Sequence, residues 1–137
     1  MLNVECLCTL ARRSARSLTE IYDRAIASSG LKVTQYSLLR AIERLDNPNL
    51  TDLAAATGLD RSTLGRNLRL LEKAGYVELL KGEDERARVA SLSSSGKKAL
   101  SIAKPLWTKT QIKISEALPQ NIKEQLQSLS STLEQIQ

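Results

Sequence analysis

Apolar residues recur at spacings of three and four along nearly the whole chain, and this periodicity restricts the fold more than any other feature. Such spacing places apolar side chains on one face of a helix, whereas strands alternate with a period of two. Residues 76–80 and 89–92 break the pattern, because they are short strand-forming runs on either side of a polar, charged loop. We therefore predict a mainly α fold with a small β-hairpin.

Breaks in the periodicity predict where the first helices begin and end. The first stripe covers residues 4–29 and stops at Gly30. Thr34 is the predicted N-cap of a second helix, which ends at residues 46–48 because proline disfavours the helical conformation in its predecessor. Thr51 is the predicted N-cap of a short third helix.

Gly58 separates the third helix from a fourth, for which Asp60 is the predicted N-cap and Gly75 the terminator. Beyond the hairpin, Ser93 begins a long helix in which Pro105 should produce a kink. A last amphipathic helix completes the chain. The pattern thus contains two short helices joined by a glycine turn.

The end helices raise a question of burial. A central lobe of three short helices and a hairpin is too small to cover the apolar stripes of the first helix and of the two C-terminal helices. Each Leu or Ile left in water would lose about 1.5–3 kcal/mol of burial free energy. Pairing with a second copy removes this penalty, and two-fold dimers are the commonest symmetric solution. We expect a homodimer, with mutual packing of the end helices in a monomer as the alternative.

Composition narrows the function. The chain has 137 residues, enough for one domain, and no histidine, so the commonest general base and metal ligand is missing. We predict neither an enzyme nor a metal site nor a cofactor.

The net charge of the chain, +5, suits an anionic partner such as nucleic acid. We predict a cytoplasmic protein, because the two cysteines are too few and too close for a disulfide scaffold and no signal peptide is found. We predict no membrane partner, because no apolar run is long enough to span a bilayer.

The fourth helix carries the pattern of a DNA reader. Before this helix, Ala54 is small enough to let two helices approach and Gly58 can form the tight turn of a helix-turn-helix. Leucines at positions 64, 68 and 71 predict the buried face of the helix. Polar and basic side chains then share the opposite arc, where hydroxyl, amide and guanidinium groups can read base edges and contact phosphates. The predicted contact residues on this helix are Arg61, Ser62, Thr63, Arg66, Asn67, Arg69 and Lys73. The alternative is a merely solvated charged face.

The hairpin tip offers a second contact. Its sequence, residues 82–88, mixes three acids with two arginines, so net attraction is not its purpose. We predict that Asp84 pairs with a neighbouring arginine and holds the loop so that Arg86 projects into a narrow, electronegative minor groove. An exposed turn whose charges supply solubility is the alternative.

Taken together, these residues resemble the MarR family of winged-helix transcriptional regulators. Residues 59–68 resemble the recognition helix of that family, residues 71–77 resemble the exit into its wing, and Asp84-Glu85-Arg86 followed by Ser91-Leu92-Ser93 and Gly96 matches its wing signature. The resemblance covers nearly the whole chain. It implies that Arg86 is the minor-groove residue, tethered by Asp84.

The resemblance also implies an organisation and an activity. It implies a single domain, residues 1–137, with a winged helix-turn-helix DNA-binding lobe at 32–92 and dimerisation helices at 1–31 and 93–137. Members are homodimers that mostly repress genes by binding pseudo-palindromic operators on double-stranded DNA, and they release the DNA when a small molecule or an oxidant acts. A winged-helix protein-interaction module that does not bind DNA is the alternative function.

Two signals for release are compatible with the sequence. Cys8 lies 22 residues before Gly30, similar to the reactive cysteine of the organic-hydroperoxide-sensing branch of the family, and Cys6 is a second thiol nearby. That branch has aromatic residues just after its cysteine, and residues 9–13 contain none. Phenolic or aromatic carboxylate inducers of the family bind between the dimer helices and the winged lobe, where Arg12, Arg16 and Tyr36 are pocket candidates. Salt bridging at the surface is the alternative role of those residues.

Overall fold

The computed structural model describes residues 5–81 and 88–137. In chain order the elements are α1 (Leu7–Ala25), a short 3-10 helix (Ala27–Ser29), α2 (Val33–Leu45), α3 (Leu50–Thr57), α4 (Arg61–Lys73), β1 (Val77–Leu80), β2 (Val89–Leu92), α5 (Ser94–Ala117) and α6 (Ile122–Ile136). The predicted mainly α fold with a small hairpin is confirmed. We use "winged lobe" for residues 32–92 and "terminal helices" for α1 and α6.

The start of α2 differs from the sequence prediction. The N-cap is Lys32 and not Thr34. An Asp23 carboxylate oxygen accepts a hydrogen bond from the Val33 amide at 2.7 Å. The Gln35 side-chain oxygen accepts one from the Lys32 amide at 3.0 Å. The prediction of Thr34 was wrong because a carboxylate from α1 satisfies the first free amide, so no hydroxyl is required there.

The start of α3 also differs. Asn49 is the N-cap, and its side-chain oxygen accepts the Asp52 amide at 2.7 Å, so the prediction of Thr51 was wrong by two residues. Asn and Thr are both good caps, and local sequence alone does not choose between them. The predicted N-caps Asp60 and Ser93 are confirmed, because their side-chain oxygens accept hydrogen bonds from the amides of Thr63 and Gly96.

A third extended segment joins the hairpin. The strands β1 and β2 pair antiparallel, with Val77 opposite Leu92 and Leu80 opposite Val89. The Pro48 carbonyl accepts the Ala90 amide at 2.9 Å, and the Leu50 amide donates to the Arg88 carbonyl at 3.1 Å. The loop before α3 therefore fixes the start of β2, at the loop end of the hairpin, to the helix-turn-helix.

The start of α5 packs closely on the hairpin. The Ser93 amide donates to the Tyr76 carbonyl at 3.0 Å, and the Ser93 hydroxyl donates to the Gly75 carbonyl at 2.5 Å. A Cβ at position 96 would overlap the Tyr76 carbonyl, so this position accepts glycine alone without a shift of the backbone. The helix continues through Pro105 to Ala117.

The core runs from Ile26, the residue after α1, into the first half of α5. Its fully buried large side chains are Ile26, Leu39, Ile42, Leu53, Leu64, Leu68, Leu71 and Leu100. At its edge, Trp107 of α5 stacks on Tyr22 of α1 and on Tyr36 of α2, with ring centroids 6.3 and 5.5 Å away. Burial therefore continues past residue 92, and aromatic rings join the winged lobe to the helices beside it.

The terminal helices are different. In the part of the chain that the structure describes, neither α1 nor α6 contains a buried residue. Each helix has exposed large apolar side chains: Leu7 and Ile21 on α1, and Leu126, Leu129, Leu133 and Ile136 on α6. Among residues 5–81 and 88–137, no helix has both the length and the apolar run needed to cross a bilayer.

Candidate nucleic-acid interface

Helix α4 has two faces of opposite character. Leu64, Leu68 and Leu71 are each 1% exposed and pack into the core. The exposed residues of the helix include Arg61, Ser62, Arg66, Arg69 and Lys73. The predicted separation of the apolar and basic faces is confirmed, and the basic face is accessible to a partner.

The first turn of α4 is held by Asp60. One carboxylate oxygen accepts both the Thr63 amide and the Ser62 hydroxyl at 2.8 Å. These hydrogen bonds, that of the Thr63 backbone above all, lower the pKa of the Asp60 carboxyl below its usual range. The carboxyl is therefore ionised at neutral pH, and the Ser62 oxygen keeps lone pairs that can accept a hydrogen bond from a base.

Two arginines of α4 lie along the helix surface. The Arg66 guanidinium donates to the Thr63 hydroxyl at 3.4 Å, and the Nε of Arg69 donates to the Gly65 carbonyl at 3.2 Å. Each guanidinium has five N–H groups, so most of these donors remain for a partner. Contacts within the helix thus orient both side chains without exhausting them.

Asn67 meets the beginning of α2. It is half-buried and lines a cavity of about 190 Å³ together with Lys32, Thr34 and Gln35. Sequence reasoning selected Asn67 but not its neighbours, because residues 32–35 positions apart in the chain give no local signal of contact. The structure therefore adds polar side chains of α2 to the border of the α4 face.

Arg88 is the residue that sequence reasoning missed. It precedes β2, is half-buried, and lines a crevice of about 230 Å³ between α4 and the hairpin. Arg61 and Arg69 line the same crevice from α4. A count of arginines flanking the predicted strand could have found Arg88. The predicted wing residues Asp84 and Arg86 lie outside the described residues.

The two cysteines lie at the start of α1. Both are exposed; Cys6 is the N-cap of the helix and Cys8 belongs to its first turn. The neighbouring Thr9 backbone amide and hydroxyl favour the thiolate and lower the pKa of Cys6 below its usual range. A nucleophilic thiolate can therefore form at this end of the chain.

The three candidates for an inducer pocket lie in different environments. Arg12 and Arg16 are exposed on α1. Tyr36 is 4% exposed, and burial raises the pKa of its hydroxyl above the usual range. Its ring packs on Trp107. An aromatic inducer between these residues remains a prediction.

Comparison with known proteins identifies the family. A family model described as the MarR family matches residues 29–87. The HTH-type transcriptional regulator SarZ of Staphylococcus saprophyticus is 32% identical over 127 residues, covering 89% of this chain and 86% of that protein.

Solved structures agree with the sequence relatives. The M. tuberculosis transcriptional regulator MosR in complex with DNA has 34% identity and a TM-score of 0.88, over 97% of this chain and 99% of that one. A second structure of MosR has 33% identity and a TM-score of 0.81, over 95% and 96% of the two chains. The chain belongs to the MarR family of winged helix-turn-helix transcriptional regulators.

Proposed function

We propose that this protein is a homodimeric, sequence-specific DNA-binding repressor rather than an enzyme. The observation that carries the proposal is the exposed basic and polar face of α4, which lies opposite three buried leucines and beside the hairpin. A helix of this kind fits the major groove, where each base pair presents a distinct pattern of donors and acceptors. The DNA-bound MosR structure supports this partner class.

Helix α4 makes two kinds of contact with DNA. The base edges are read by residues near the beginning of α4: Ser62, Thr63, Arg66 and Asn67. The phosphates are contacted by Arg69 and Lys73. Arg61, at the first turn, can reach either. Arg86, with Asp84 as its tether, enters the adjacent minor groove. These assignments keep specificity in the major groove and use the wing for groove shape.

The dimer is formed by residues 1–31 and 93–137. The exposed apolar stripes of the terminal helices support this assignment, because a second copy would remove them from water. Two winged lobes, residues 32–92, then present two copies of α4 to major grooves about one helical turn apart. The operator is therefore pseudo-palindromic.

The proposal is tested by selecting duplexes that the purified protein retains from a random-sequence library. The expected product is a pseudo-palindrome. Its affinity should fall about a thousandfold between 50 and 200 mM salt if about six phosphates are neutralised. Absent or salt-independent binding would favour the alternative, a protein-interaction module.

Thiol oxidation is the release signal that we propose first. The exposed Cys6 and its lowered pKa support it, because the thiolate is the nucleophile toward a peroxide. The sulfur attacks one peroxide oxygen, the O–O bond breaks, and the leaving alkoxide takes a proton to give an alcohol while the cysteine becomes sulfenic acid. A small aromatic or phenolic ligand is the second candidate signal.

Cys6→Ser and Cys8→Ser variants distinguish these signals. The variant that lacks the sensing thiol should bind the selected duplex as the parent does when reduced, and should no longer release it with cumene hydroperoxide. If both single variants and the double variant still release DNA on oxidation, thiol sensing is wrong. Release by salicylate alone would favour the ligand.

A further inference from the structure

We propose that the crevice between α4 and the hairpin holds the sugar–phosphate backbone of one DNA strand, and that Arg88 is a phosphate-binding residue. The inference deepens the proposed function, since it assumes that duplex DNA is the partner. The crevice has a volume of about 230 Å³, enough for a phosphate group with water. It is lined by Arg61 and Arg69 on one side and by Arg88 on the other.

The structure fixes Arg88 in this position. Its carbonyl accepts the Leu50 amide at 3.1 Å, and the next residue, Val89, forms a β-bridge with Asn49. These contacts hold the backbone of Arg88, where the tip loop enters β2, beside the beginning of α3. A side chain on a rigid element loses less entropy when it binds a ligand.

The chemistry of the crevice favours an anion. Arginine keeps its charge at any physiological pH, so repulsion among the three guanidiniums cannot be relieved by loss of a proton. The lining residues that the structure describes include no carboxylate, and leucines form the rest of the wall apart from Gly65. Apolar walls lower the local dielectric and strengthen a charge-assisted hydrogen bond. A backbone phosphate in the crevice would reduce the repulsion among these cations.

The geometry of the duplex explains the location. A major groove and the neighbouring minor groove are separated by one sugar–phosphate strand. If α4 occupies the major groove and the wing the minor groove, that strand must pass between them. The arginine-lined crevice lies at this point of the fold. It therefore contacts DNA without reading bases, and Arg88 contributes affinity more than specificity.

Arg88→Ala tests the inference on two probes, the duplex selected from the random library and a scrambled duplex of the same composition. The affinity for both should fall by the same factor, about tenfold or more. The slope of log affinity against log salt should become shallower by about 0.9 per subunit, or about 1.8 per dimer. Arg88→Lys keeps the charge and should keep the parental slope.

Controls separate this inference from the proposed function. Lys98→Ala removes an exposed charge on α5 outside the crevice and should leave the slope unchanged. Arg61→Ala is a second test at an exposed position, should Arg88→Ala alter the circular dichroism spectrum. A parental slope and affinity in a folded Arg88→Ala variant, or a loss confined to the selected duplex, would overturn the phosphate contact. If the parent itself binds neither duplex, the proposed function fails first.

Discussion

The winged lobe and the terminal helices share the same apolar spacing but differ in what that spacing does. Among the described residues, every buried hydrophobic side chain lies between Ile26 and Ala103, so the core belongs to the winged lobe and the elements next to it. Helices α1 and α6 have apolar stripes of the same spacing, yet no residue of either helix is buried and several of their large apolar side chains face water. Periodicity therefore indicates which face of a helix needs cover, but not whether its own chain provides the cover.

The largest expected effect is on the core. Leu39→Ala removes a side chain that is 0% exposed, and it should lower the free energy of unfolding by about 2–5 kcal/mol through lost burial and a residual cavity. Urea unfolding followed by circular dichroism measures this change. Leu133→Ala is the matched control, with a much smaller effect at protein concentrations where the chain is monomeric. Equal losses in the two variants would contradict the contrast between these regions.

The next effect concerns the terminal helices. Leu133 is 48% exposed, so association can bury only about half of the side chain, worth about 1 kcal/mol per subunit. Leu133→Ala should therefore weaken the dimer by about 2 kcal/mol, or about 30-fold in dissociation constant. Sedimentation equilibrium measures the change. Ser131→Ala, on the opposite face of α6, should leave the dissociation constant unchanged. A monomeric parent, or a Leu133→Ala dimer as tight as the parent, would contradict the assignment of α6 to the dimer interface.

The smallest effect concerns the packing of α5 on the winged lobe. Glu43 of α2 accepts a hydrogen bond from Lys104 of α5 at 2.7 Å, and this contact lowers the pKa of the Glu43 carboxyl. Its stabilisation is therefore present above the unfolded pKa of about 4.3 and is lost as the pH falls through the lower folded value. Since the side chain is 36% exposed, solvent screening limits the contribution to about 0.5 kcal/mol or less.

Urea unfolding between pH 7 and pH 3 checks this last prediction. Glu43→Gln should lose less stability than the parent over this range, because it has no carboxylate to protonate. Lys104→Ala should reduce the pH dependence in the same direction, since it removes the partner. Parallel curves for the parent and both variants would show that this ion pair does not stabilise the packing of α5 on the lobe.

Elements defined by neighbouring residues could be predicted from the sequence. The two faces of α4, the hairpin strands and the caps Asp60 and Ser93 follow from side chains within a few positions of one another. The prediction failed at Thr34 because a distant carboxylate satisfies the first amide of the helix, and it failed at Thr51 because Asn49, two residues earlier, is an equally good cap. Asp23 reaches from α1 to the beginning of α2, and no periodicity within α2 reveals it.

The sequence by itself determined the helices, the hairpin and the side of α4 that carries the charges, because each depends on spacing along the chain. The tertiary structure alone decided that Arg88 faces Arg61 and Arg69 across a crevice, and that Trp107 stacks on Tyr22 and Tyr36. These groups are far apart in sequence, and they meet because burial of the leucines brings their elements together. Local patterns specify what each element presents, whereas packing specifies what it meets.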